Sequence, residues 1–256
     1  MIEGFQDLTG STYEKTDLSR STFRLVLFDG STIRDSDMNG VTMRGVGISD
    51  TSIDGEFNNL VLNGVDVAPI IEAELDRRDP DRPKFRATTP DSFREAWDIN
   101  ERRWAATVER ARHLPAERLH VSVGGEWSFI QTLRHLAFAS ESWIGRAVLG
   151  DPYPWHPWSL AWDTFRDLGI PQDRDGRATL EEALAIRLDA MSLVRGVLDD
   201  LDEAELERET DPPVGPGWPV EGETFSVRDC LLTVLNEEWH HRVYAERDLA
   251  DLEQQD

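Results

Sequence analysis

The sequence lacks most of what would tie a chain to a membrane, a disulfide framework or a polyanion. It has one cysteine, Cys230, so no internal disulfide can form. That fits a reducing compartment, and a cytoplasmic protein is the expectation. No stretch approaches the roughly 18 consecutive apolar residues that a membrane-spanning helix needs. The opening residues MIEGFQDLTG show no basic region followed by an apolar core, so no secretory leader is expected. Cations are scarce too: 27 Lys and Arg against 50 Asp and Glu leave a formal net charge of −23. Nucleic-acid phosphates and anionic lipid both need clustered cations, so neither is an expected partner. The acidity is spread out, −6 through Ile70 and −17 beyond it, and reads as general solubility.

What is present begins with a repeat. Steps of five from Leu8 meet Tyr13, Leu18, Phe23, Phe28, Ile33, Met38, Met43, Ile48 and Ile53, all large and apolar. Two residues before each stands a small or β-branched residue in nearly every case, as at Ser11, Thr16, Ser21 and Val26. A period of five matches neither a helix nor a strand. It suits a chain that turns a corner every five residues. The run from Phe5 to Ile53 resembles the pentapeptide-repeat family, which implies a short right-handed quadrilateral β-helix. Repeat arrays need covered ends, and Asn58 to Leu75 is the expected cap, turning helical near Val67. We therefore expect a β-helical domain over residues 1–75. The following stretch, 76–90, is rich in proline and charge and reads as a linker.

From 91 to 256 the periodicity is helical. Helices are expected over Asp91 to His113, Ser128 to Leu149 and Thr179 to Leu198, the last opened by a Thr179–Glu182 capping signal. A fourth opens behind Ser226, with Asp229 three residues on, and runs through Cys230 to Leu249 without proline or glycine. Four helices and one connection of nearly thirty residues, Asp151 to Ala178, predict a four-helix bundle with one long crossover.

One face of the last helix carries Cys230, Val234, Glu237, His241, Tyr244 and Asp248. Glu237 and His241, one turn apart, can serve one metal ion or form a surface ion pair. Spacing alone leaves both open. Cys230 lies too far along the helix to join them and reads as a small core residue. His113, His120 and His240 read as surface or supporting groups, and His156 as packing against neighbouring tryptophans or lining a pocket.

The segments GEWSFIQTLRHLAFASESW (Gly125 to Trp143) and NEEWHHRVYAERDL (Asn236 to Leu249) together resemble the DinB-like bundles. These include thiol-dependent maleylpyruvate isomerases and related thiol transferases. The resemblance implies a metal triad of His135, Glu237 and His241, a divalent ion with zinc foremost, and a low-molecular-weight thiol as nucleophile. It implies transfer or isomerisation on a small electrophile. The rival expectation is a non-catalytic scaffold that uses the repeat face. On a helical wheel His135 lies about 150° from the apolar face of its helix, so it is either covered by the crossover or exposed. Tyr153, Trp155 and Trp158, with Trp162 and Phe165, either roof an organic ligand or seal the bundle. Tyr244 either donates into the site or packs. A small-molecule ligand and a second copy of the chain are the partners that stay open.

Overall fold

The computed structural model describes residues 6–34, 36–162, 168–170 and 172–254. It divides into two units, Met1–Asn58 and Asn59–Asp256. In the first unit, Gly10, Lys15, Arg20, Leu25, Gly30, Gly40, Gly45, Asp50 and Gly55 all have positive φ. The five-residue period is thus a period of left-handed corners.

These corners do not close into the expected β-helix. Among the described residues the only sheet is a two-stranded hairpin outside this unit. The unit's backbone-to-backbone hydrogen bonds among the described residues are local turns, from Ser11 to Leu8, Ser21 to Leu18 and Ser31 to Phe28. Leu8, Leu18, Phe23, Ile33 and Ile48, expected inside, are 52%, 48%, 57%, 59% and 58% exposed. The physical reason is that a corner every five residues sets where the chain turns, not whether successive turns stack. A coil buries its side chains only when neighbouring turns exchange ladder hydrogen bonds.

The second unit opens with the hairpin β1 (Val61–Leu62) and β2 (Val65–Asp66). Asn63 and Gly64 join them with φ of 50° and 86°, the pair of left-handed residues that a two-residue hairpin turn requires. Helix α1 (Ala68–Arg78) follows within the same unit, which begins at Asn59.

The expected linker, 76–90, is folded onto the helices. Asp79 and Asp81 accept from Arg103 at 2.6 and 2.7 Å. Phe85, the one large apolar residue there, is buried with its ring 4.7 Å from that of Trp239. Much of the charge in this stretch is therefore paired, some of it while still exposed to solvent.

Four long helices build the rest. Helix α2 is Pro90–Ala111, capped by Thr89 with a reciprocal bond to Ser92. Helix α3 is Phe129–Ser140, capped in the same way by Ser128 and Gln131, and it continues as a wider π-helical turn over Glu141–Val148. Helix α4 is Leu180–Asp200, with the predicted Thr179–Glu182 box. After the short α5 (Glu203–Leu206), helix α6 runs from Val227 to Glu253 behind Ser226. Caps of this kind are typically worth about 1 kcal/mol each. None of the helices among the described residues is long and apolar enough to cross a membrane.

Helix α3 is the buried centre: of Phe129–Ser140 all but Gln131 are buried, and it packs on α4 and α6. Two arginines on it and its π-helical continuation make no ion pair with a carboxylate among the described residues and instead collect backbone carbonyls. Arg134 donates to Trp158 O at 2.6 Å and Gly176 O at 2.9 Å, and also to Asp173 O. Arg146 donates to Pro219 O at 3.0 Å, Pro152 O at 2.8 Å and Gly215 O at 2.6 Å. They pin the crossover and the loop before α6 to the central helix.

Candidate metal centre

Helix α6 sets Glu237 and His241 one turn apart, and α3 brings His135 to meet them. The crossover covers His135 from the side opposite the apolar stripe, which is why a residue so far off that stripe is only 5% exposed. Leu160 of the crossover is bound twice: its amide donates to Arg134 O at 3.1 Å, and its carbonyl lies 2.9 Å from His135 Nδ1. A carbonyl only accepts, so Nδ1 carries the proton and the lone pair of a neutral ring sits on Nε2.

That Nε2 lies 3.2 Å from Glu237 Oε2, and His241 Nε2 lies 3.1 Å from the same oxygen. One donor atom from each of the three residues falls within 4.8 Å of the others. The imidazole centroids of His135 and His241 are 4.7 Å apart. Burial opposes the charge on Glu237, but the bonds from His135 and then His241 outweigh it and hold the carboxyl far below the usual range. A ring lone pair facing an ionised oxygen would repel it, so a hydrogen or a metal cation must lie between each nitrogen and that oxygen. Two imidazoles and a carboxylate are a donor set suited to zinc and other borderline divalent ions. The residues therefore fit the ion that the resemblance implies.

Of the other expected residues that are described, Tyr244 alone meets this cluster, at His241. Tyr153 is 64% exposed. Trp155 lies under Arg146 and donates its indole N–H to Ser142 at 2.9 Å. Trp158 packs between the buried clusters on α3 and α4. Trp155 and Trp158 thus pack against the bundle, while Tyr153 stands out from it. Trp162 reaches Phe138, whose ring is 6.1 Å from that of His135; Phe165 lies outside the described residues. Tyr244 meets His241 edge-on at 6.1 Å. Cys230 is wholly buried, and burial pushes its thiol up to about 12. His156 receives the Trp158 amide on its own Nδ1, while its amide donates to Glu141 Oε1 at 3.1 Å.

Three features were not read from the sequence. Trp127 lies against both imidazoles, with centroids 4.3 Å from His135 and 5.7 Å from His241. Glu238, next to the ligand candidate, turns into the core and pairs with Arg187 through both oxygens at 3.1 and 2.6 Å. Glu141 is buried at the start of the π-helical turn, where burial pushes its carboxyl up to about 7 against the opposing contacts of Ser159 and the His156 amide. All three stand inside the two stretches that carried the resemblance, but spacing alone singled out none of them.

A family model described as the DinB superfamily matches residues 99–245, more than half of the chain and all three members of the triad. No curated protein and no solved structure matches. The superfamily is a metal-binding one. Its model begins within α2 and ends within α6, so it covers the bundle and leaves the corner-turning first unit outside. This chain belongs to the DinB superfamily.

Proposed function

We propose that His135, Glu237 and His241 hold a divalent ion, zinc foremost, and that the bundle carries out thiol-dependent transfer or isomerisation on a small electrophile. The observation that carries the metal reading is the convergence of three donors from two helices within 4.8 Å. The ion would supply Lewis acidity toward a thiol or an electrophile at the site. The chain's own part is to orient the donors. Leu160 fixes the His135 tautomer through its carbonyl, and the two imidazoles keep Glu237 ionised.

The nucleophile is then a low-molecular-weight thiol and not Cys230. A cysteine becomes nucleophilic as thiolate, which calls for exposure and nearby positive charge. Cys230 has neither the exposure nor the lowered pKa. Glu237 and His241 retain side-chain exposures of 33% and 20%, so a small molecule can approach from that side. The scaffold alternative would instead use the face of the repeats, whose large apolar side chains stand exposed, and it calls for no bound metal.

Metal analysis of protein prepared without added metal or a histidine tag tests the reading. About one equivalent of a divalent ion, lost on Glu237→Ala, supports it. Less than a tenth of an equivalent, with no uptake of added zinc, overturns it.

A further inference from the structure

The two imidazoles of the triad are supported unequally. A metal-ligating histidine ordinarily gives its second ring nitrogen to a carbonyl or carboxylate, which fixes ring orientation. His135 does so through Leu160 O at 2.9 Å. Among the described residues His241 makes no such bond: its polar contact is with Glu237. What meets its faces is aromatic. The Trp127 ring stacks on it at 5.7 Å with the planes only 18° apart, and Tyr244 touches it edge-on.

Trp127 is well placed to fix both rings at once. It immediately precedes Ser128, the cap of α3, and the chain enters through Gly124 and Gly125 at φ of 58° and 81°. Left-handed geometry is cheap only for glycine, so this turn delivers the indole to one place beside the first two turns of α3. From there it reaches His135 at 4.3 Å on its own helix and His241 on α6.

We infer that Trp127 is a positioning residue of the metal site, its indole face holding the His241 imidazole where a hydrogen bond would otherwise be needed and bracing His135 beside it. The inference rests on the metal reading above and assigns no contact between the indole and the ion. It has a direction. An imidazole that donates to a cation is more positively polarised, and an indole face attracts positive charge. The stack therefore tightens when the site is loaded.

The test is zinc affinity by competition titration on the full chain, with the visible spectrum of the cobalt-loaded protein as a reporter of donor geometry. Three variants separate ring from bulk: Trp127→Phe keeps an aromatic face, Trp127→Leu keeps bulk without one, and Trp127→Ala removes both. Trp127→Leu and Trp127→Ala should weaken zinc about tenfold, within the range for groups that orient ligands, and shift the cobalt bands. Trp127→Phe should restore most of both. Melting of the metal-free variants checks that the bundle is folded. If Trp127→Leu binds zinc as tightly as the parent with an unchanged cobalt spectrum, or if Trp127→Phe is no better than Trp127→Ala, the positioning role is overturned. A parent chain that takes up neither metal overturns the metal reading and this inference with it.

Discussion

His135 Nε2 and Glu237 Oε2 stand 3.2 Å apart although 102 positions separate them in the chain. Two helices supply the pair, and a segment with no regular structure fixes the tautomer of one member. The site is thus a product of tertiary packing, and its energetics can be separated from those of the bundle.

Glu237→Ala should divide the two. With metal absent the variant loses a half-buried carboxylate and its contacts with His135 and His241, and should melt only a few degrees below the parent. With zinc at a hundredfold excess over its dissociation constant, the parent should gain about 2.7 kcal/mol from mass action and the variant much less. Calorimetric melting with and without zinc reads this. An equal zinc-induced shift in both proteins would remove Glu237 from the site.

Glu141 predicts a pH dependence remote from the triad. Its folded-state carboxyl is raised to about 7 by burial, so the folded chain holds this proton more tightly than the unfolded chain. The contribution favours folding below the ordinary carboxylate range. It declines as pH rises from about 4.5 towards 7 and is gone above that. A shift of this size is on the order of 3 kcal/mol. Glu141→Gln should therefore be more stable than the parent at pH 8 and lose the difference near pH 4, as urea denaturation would show.

The Arg187–Glu238 pair is 3% and 1% exposed. Breaking such a pair from one side strands a charge and costs about 3–5 kcal/mol, whereas replacing both partners by apolar residues is often neutral. Glu238→Ala should destabilise by that amount, and Arg187→Met with Glu238→Leu should recover most of it. Arg187 also lies 4.6 Å over the Trp104 ring, so Glu238→Ala should change tryptophan fluorescence as well.

Because the second unit begins at Asn59, removal of residues 1–58 should leave helical circular dichroism and the melting temperature nearly unchanged. A longer cut through residue 78 removes α1 and strips Arg82 of Glu72 and Asp76, its partners at 2.8 and 2.7 Å. It should melt earlier. Loss of helical signal in the shorter cut would mean that the two units fold as one.

The four long helices were legible because their signals are local. Thr179 with Glu182, and Ser226 with Asp229, mark starts within one turn. The Glu237–His241 spacing could likewise be read from one helix. The burial of His135 could not, since it depends on the crossover returning to α3. Nor did the five-residue period say whether corners stack: Leu18 and Phe23 look like interior residues in sequence and stand exposed in the structure. Glu141 is one acid among 50, and only the crossover laid over it makes it unusual.

Leu160 acts on His135 through its peptide group, donating its N–H to Arg134 and accepting at its carbonyl. Its side chain is buried but takes no part in that clamp. Drift at this position is therefore invisible to the site as long as the new residue is apolar and fits. Proline is the exception, because it has no N–H to give. The role therefore does not require that the letter at this position be kept. The contact that decides which nitrogen of His135 is free is inherited as a path of the backbone, not as an amino acid.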